Sequence, residues 1–175
     1  MLIHDEPLNL NQWIKDNKHL LKPPVANKLV WLNREFFVMI VGGPNNRTDF
    51  HVNQSEEFFY QLEGTLTLKT MTSSGKIRDI AIRAGDIYLL PPGVPHSPQR
   101  EAHSVGLVIE RKRREGELDG LLWFCEKCEK NLYEEFFVLT NIETQFPDVF
   151  ERYYNSDHTK CKSCAHINGR KWTHV

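Results

Sequence analysis

Several features common in other protein classes are scarce or missing here. No stretch of the chain approaches the ~20 consecutive apolar residues that a membrane-spanning helix requires, so no membrane partner is expected. Neither sign of charge is in excess: 22 Lys and Arg face 23 Asp and Glu, for a formal net charge of -1. That balance supplies no bulk pull toward nucleic acid or an anionic lipid surface. The first residues, MLIHDEPLNLNQW, carry acids where a secretory leader has basic residues followed by an apolar segment. An intracellular, cytoplasmic location is the resulting expectation. Repeats and low-complexity tracts are absent, and so are cysteines over most of the chain. The four present, Cys125, Cys128, Cys161 and Cys164, all fall in the last third. Nothing points to an oxidising compartment, and two C-x-x-C pairs suggest metal before disulfides.

What is present suits a globular domain. A chain of 175 residues, 40% hydrophobic and 26% charged, is long enough to bury a sizeable core. Leu8–Leu21, with Trp13, Ile14, Leu20 and Leu21, predicts an amphipathic helix stopped by Pro23-Pro24. From Asn27 to His103 the texture changes to short runs rich in Val, Ile, Phe, Tyr and Thr. Turn signals such as GGPNNRTD, EG, TSSG, AGD and PPGVP divide them, and LTLKTM alternates apolar with polar residues. Evenly spaced strands of this kind predict a mainly β sandwich or barrel. A further strand is expected at Ser104–Arg111. The basic run Arg111–Arg114 reads as the solvated end of that strand, since acids flank it. Beyond it, Phe146–Tyr154 predicts a short helix. The expected division is 1–118 for the β unit with its N-terminal helix, and 119–175 for a cysteine-bearing segment packed on it.

Two turn-bounded stretches carry candidate ligands. The first is G-x7-H-x-N-x3-E-x6-G, through Gly43, His51, Asn53, Glu57 and Gly64. The second is G-x5-P-x-G-x2-H, through Gly85, Pro91, Gly93 and His96. Along an extended strand, positions 51, 53 and 57 share one face and Glu56 lies opposite, which favours Glu57 as the ligand. Two imidazoles and one carboxylate can occupy one face of an octahedral ion and leave sites open for substrate and O2, an arrangement associated with non-haem Fe(II). The competing account is a structural histidine and a surface glutamate. Arg47, four residues before His51, and Arg100, four after His96, could grip a small acidic ligand. Glu110, in LVIER, could take a proton or a hydrogen bond. For each of these three, a surface salt bridge is the alternative.

These motifs resemble the two motifs of the cupin superfamily, small jelly-roll-like β-barrels that hold a metal between two sheets. The second matches through His96. The first departs from the common three-His-one-Glu set, because Asn53 stands where a histidine is usual. More specifically, NRTDFHVN-x-x-EEFFYQLEG, GDIYLLPPGVPHSPQR, GLVIER and the paired-cysteine tail resemble the short, bacterial-type 3-hydroxyanthranilate 3,4-dioxygenase family. The resemblance implies catalytic Fe(II) on His51, Glu57 and His96. It implies Arg47 facing bound oxygen and Arg100 pairing with the substrate carboxylate. It also implies that Glu110 contacts the substrate and manages its proton, and that Glu57 touches substrate as well as metal. The implied reaction opens 3-hydroxyanthranilate with O2 to 2-amino-3-carboxymuconate 6-semialdehyde, on the kynurenine route of tryptophan catabolism to quinolinate and NAD. A homodimer is implied as well. Two readings compete with it. One is a non-catalytic cupin binding a small acidic ligand, and the other is a cupin dioxygenase for another o-aminophenol or catechol.

C125-E-K-C128 and C161-K-S-C164 can fold four thiolates into a tetrahedron suited to zinc or a single iron. Two such units without a βαβ pattern disfavour a thioredoxin-like redox pair. A zinc-ribbon nucleic-acid module is the other alternative, and HINGRKWTHV offers it no convincing face. The resemblance implies a structural, rubredoxin-like iron site.

Overall fold

The computed structural model describes residues 6–22, 26–31, 34–45, 47–140 and 142–170. The Pro23-Pro24 stop and the last five residues of the tail lie outside them. Helix α1 spans Leu10–Asn17 and continues as a 3₁₀ turn over Lys18–Leu20. Asn9 caps it, its side chain accepting from the backbone N–H of Gln12 at 2.9 Å, which satisfies one of the donors a helix start leaves free.

Eleven strands follow: β1 (Asn27–Leu29), β2 (Phe36–Gly42), β3 (Asp49–Val52), β4 (Glu57–Glu63), β5 (Thr65–Met71), β6 (Ile77–Arg83), β7 (Ile87–Leu90), β8 (His96–Arg100), β9 (Val105–Arg111), β10 (Asp119–Phe124) and β11 (Asn131–Phe137). Helix α2 spans Ile142–Tyr154. It begins four residues before the expected Phe146, so Pro147 lies inside the helix. The strands pair antiparallel into two sheets, β1-β2-β9-β4-β7 and β11-β10-β3-β8-β5-β6.

This is the jelly-roll-like β architecture expected, built as two facing sheets without closure into one hydrogen-bonded barrel. Consecutive strands show why. β4 runs directly into β5 through Gly64, yet β4 pairs with β7 and β9 while β5 pairs with β6 and β8. The chain therefore crosses between layers at that turn. Gly64 adopts φ +67, where an L side chain is strained.

Alternation does the rest. Residues 57, 59 and 61 of β4, and 66, 68 and 70 of β5, point inward. Phe59, Leu66, Leu68, Ile82, Leu90 and Val108 form the apolar half of the interior. Burying each large side chain contributes about 1.5–3 kcal/mol. α1 sets Ile14 against Ile40 and Val105. α2 packs Phe146, Val149, Phe150 and Tyr153 on Leu121 and Trp123 of β10, with the Trp123 and Tyr153 rings stacked at 4.3 Å. β10, the first strand after residue 118, hydrogen-bonds to β3, so the second sheet continues into the cysteine-bearing part. No described helix is long and apolar enough to cross a membrane.

Candidate metal centre

Register places the ligand candidates. In the second sheet His51 of β3 lies directly opposite His96 of β8. In the first sheet Glu57 of β4 lies directly opposite Glu110 of β9. The sheets face one another, so two imidazoles on one layer meet two carboxylates on the other. The PPGVP turn docks beside them, Gly93 N–H donating to the Asn53 carbonyl at 2.8 Å. The same turn aims a ring: His96 Nδ1 lies 3.0 Å from the Val94 carbonyl, while Nε2 lies 3.1 Å from Glu57 Oε2. One ligand atom from each of His51, Glu57 and His96 falls within 4.8 Å of the others, a group that could hold a metal ion. Glu56 is exposed. Glu57 is thus the inward carboxylate, although it and His51 sit on different sheets and strand parity does not connect them.

Burial and charge oppose each other in this cluster. Burial pushes the Glu57 carboxyl up, and His96 and His51 outweigh it, so it remains ionised below the usual carboxylate range. Burial pulls His96 down, and Glu57 more than restores it. His51 ends below its ordinary value because burial dominates there. Glu110 rises to about 7 from burial and the Glu57 charge, against the pull of Arg113.

Asn53 is more than an absent imidazole. Its Nδ2 donates to Glu110 Oε2 at 3.0 Å and lies 3.4 Å from Glu57 Oε2, while its Oδ1 accepts from the Ser55 backbone N–H at 3.0 Å. Arg47 is forked onto Asp49 and lies 6.0 Å from the Phe146 ring centroid. Arg100 is buried, with Nη1 donating to Gln61 Oε1 at 3.2 Å. Among the described residues its Nε has no partner. Burial lowers its pKa to about 10, and Glu57 partly offsets that. Arg47, Arg100 and Glu110 all lie near enough to Glu57 to feel its charge.

Sequence reasoning missed three neighbours. Gly106 makes room for Arg100: a Cβ there would fall 2.6 Å from Arg100 Nη1 and 2.9 Å from Gln61 Oε1. A glycine inside VGLVIE was a readable sign of such a close approach. Asp119 is fully buried, its Oδ2 2.6 Å from His51 Nε2. Arg113 contradicts the solvated reading of its basic run. Only 7% of its side chain is exposed, and it bonds Asp119 and Glu110. Arg111 instead pairs with Glu117. A charge run carries no mark of which member turns inward.

The four cysteines form a second group that could hold an ion. Cys125 and Cys164 Sγ atoms lie 3.5 Å apart, and those of Cys128 and Cys161 3.6 Å. The two knuckles are built alike. Cys125 N–H donates to Lys130 O and its carbonyl accepts from Glu129 N–H, both at 2.8 Å; Cys161 does the same with His166 and Ala165. Glu129 and Ala165, each just after the second cysteine, both have φ of 60. Burial pushes the Cys161 thiol up, but the amides of Ser163 and Cys164 outweigh it and bring it down to about 6.

A family profile described as 3-hydroxyanthranilic acid dioxygenase matches residues 2–154. A protein named 3-hydroxyanthranilate 3,4-dioxygenase from Xanthomonas euvesicatoria pv. vesicatoria (strain 85-10) is 53% identical over 163 residues, 93% of this chain and 92% of that one. Its namesake from Lodderomyces elongisporus is 49% identical over 168 residues, covering 95% and 94%. The one from Bacillus cereus (strain ATCC 10987 / NRS 248) is 45% identical over 163 residues, covering 93% and 91%. Among solved structures, a cupin-2 domain containing protein from Shewanella frigidimarina aligns with a TM-score of 0.48 and 21% identity, over 60% of this chain and 94% of that one. That shape likeness is too slight to carry weight; the sequence matches span nearly the whole chain. This chain belongs to the 3-hydroxyanthranilic acid dioxygenase family.

Proposed function

We propose that this protein is an Fe(II)-dependent, extradiol-type dioxygenase acting on 3-hydroxyanthranilate. One O2 is consumed per ring opened, and both oxygen atoms enter 2-amino-3-carboxymuconate 6-semialdehyde, a precursor of quinolinate and NAD. The observation that carries this reading is the convergence of His51, Glu57 and His96 from two facing sheets, with Arg47, Arg100 and Glu110 around Glu57. The donor set fits the ion: two imidazoles and one carboxylate suit Fe(II) and leave coordination sites free. Iron bound there would supply open coordination sites for the o-aminophenol pair and O2 and a path for electron density between them.

The remaining roles belong to the chain. Arg100, still cationic at neutral pH and with Nε unpartnered among the described residues, receives the substrate carboxylate. Gln61 holds its Nη1, so the fork keeps one direction. Glu110, poised at about 7, takes the proton released by the substrate hydroxyl or amine, and Glu57 touches the substrate beside it. Arg47, oriented by Asp49, faces the oxygen side and stabilises negative charge as it develops. Phe146, 5.4 Å from the His51 ring, keeps water from that side.

The four-cysteine group holds a second ion, iron or zinc, that staples the C-terminal segment by tying the Cys161–Cys164 knuckle to the Cys125–Cys128 turn between β10 and β11. Outward-facing Phe36, Ile87 and Leu89 on the first sheet support a homodimer. The deciding experiment mixes reduced, iron-loaded protein with 3-hydroxyanthranilate and follows O2 uptake and product absorbance. Equal amounts of each are expected. Tight binding of 3-hydroxyanthranilate without O2 uptake would overturn catalysis in favour of a binding protein.

A further inference from the structure

Arg113 occupies an unusual position for a residue in a charged turn. Its Nε donates to Asp119 Oδ1 at 2.6 Å and its Nη2 to Asp119 Oδ2 at 2.7 Å. Its Nη1 reaches Glu110 Oε2 at 2.9 Å and the Arg111 carbonyl at 3.1 Å. Asp119 Oδ2 in turn lies 2.6 Å from His51 Nε2. Glu110 Oε2 also accepts from Asn53, whose Nδ2 lies 3.4 Å from Glu57 Oε2. The contacts form a continuous buried path: His51, Asp119, Arg113, Glu110, Asn53, Glu57.

Burying a guanidinium and two carboxylates is a poor way to gain stability alone, because desolvation can exceed the attraction and apolar residues often do as well. What this arrangement adds is direction. A bidentate Arg–carboxylate fork fixes the plane of Asp119. Between an anionic Asp119 and the imidazole, the ring supplies the proton. That settles which ring nitrogen keeps its lone pair, the usual job of a carboxylate behind a metal-bound histidine. The third arm of the same guanidinium fixes Glu110.

We propose that Arg113 and Asp119 are positioning residues for the catalytic centre. Asp119 sets the His51 ring, and Arg113 sets both Asp119 and the substrate-facing Glu110. This rests on the reading of His51 as a metal ligand and Glu110 as a substrate contact. The two roles separate by mutation. Asp119→Asn removes the anion behind the ring and one of the two oxygens that Arg113 grips, but leaves the Arg113 arm on Glu110 in place. Fe(II) binding therefore weakens by about 10–100-fold, while KM for 3-hydroxyanthranilate at saturating iron stays within about twofold of wild type. Arg113→Gln disturbs both, weakening Fe(II) binding and raising KM. Arg113→Lys keeps the charge but not the fork. It restores KM more than iron affinity.

The test measures Fe(II) affinity by chelator competition in wild type, the three variants and Arg111→Ala, a control on the Glu117 pair. The four-cysteine ion is followed separately, by its thiolate colour where it is iron and by elemental analysis where it is zinc. Melting curves report folding, and steady-state kinetics at saturating iron give KM and kcat. Iron loss confined to the His51 centre, with the KM split above and normal Arg111→Ala protein, is the expected result. Unchanged Fe(II) affinity and KM in Asp119→Asn and Arg113→Lys, with only a lower melting temperature, would overturn the proposal and make the path a structural ion pair. If Arg113→Gln fails to fold, those two milder substitutions decide. Wild-type protein that binds Fe(II) but consumes no O2 would defeat the catalytic reading instead; the affinity comparison would still judge Asp119.

Discussion

The two metal-capable clusters are opposite constructions. Each half of the cysteine cluster is complete within six residues, and both halves repeat the same pair of 2.8 Å backbone bonds. The His51, Glu57 and His96 cluster has no local half. Its residues come from β3, β4 and β8 on two sheets, and register alone aligns them. A knuckle needs only its own turn and a partner. This three-residue group needs the whole sandwich, and it is ringed by ionisable groups that are costly to bury. Damage should therefore propagate differently in the two.

The largest effect separates chemistry from scaffold. Glu57→Ala removes the only acidic member of the three-residue group, and turnover should fall by several kcal/mol of barrier, roughly 10³-fold or more. The four-cysteine metal should stay in place with near-normal melting. Loss of both metals together would show that the clusters are coupled and break the comparison.

The reverse experiment comes second. Cys161→Ser should empty the knuckle pair, because four thiolates are needed to close the tetrahedron. A cost of about 3 kcal/mol in folding would lower the melting temperature by roughly 6–12 °C for a domain of this size. Turnover per catalytic iron should remain within about threefold, since no cysteine belongs to the group of His51, Glu57 and His96. Unchanged melting temperature and metal content would remove the stapling role.

The same contrast explains what the sequence made legible. C-x-x-C spacing encodes a knuckle directly, because ligand and turn occupy the same few residues. The histidines were legible for a related reason: each sits next to its own turn signal, and glycine and proline mark turns plainly. Glu57 was singled out by parity with His51, an argument that fails across two sheets; its inward face follows from the alternation of β4 itself. Arg113, Asp119 and Gly106 matter through partners far away in sequence. Charge runs and lone aspartates carry no sign of such partners. The strand partners within the two expected sheets were hidden similarly, because pairing of β4 with β9 and of β5 with β8 is decided by packing at long range.

A third prediction tests how closely the substrate pocket is fitted. Gly106→Ala forces a methyl group to within 2.6 Å of Arg100 Nη1, so the guanidinium or Gln61 must shift. Losing one charge-assisted contact to the substrate carboxylate should raise KM by about 10–100-fold. Both metals should remain bound, because neither cluster includes Gly106. An unchanged KM would place the carboxylate away from Arg100.

The smallest effect concerns stability and pH. Burial and the Glu57 charge raise Glu110 to about 7 from an ordinary 4.5. Between those values the folded protein holds a proton that the unfolded chain has released, so stability falls as pH rises through the window. Above about 7 both states are ionised and the penalty is full. Glu110→Gln cannot ionise and escapes it. In metal-free protein the variant should therefore gain in melting temperature over wild type from pH 5 to pH 8, while its turnover with iron falls. Ionic pairing with Arg113 works against the gain, since Gln gives that guanidinium a weaker acceptor. A melting difference that does not change with pH would mean that Glu110 is already ionised at pH 5 and that Arg113, not burial, dominates its environment. No cysteine of the second cluster should alter this profile, because the titrating group and its neighbours lie wholly within the register-built centre.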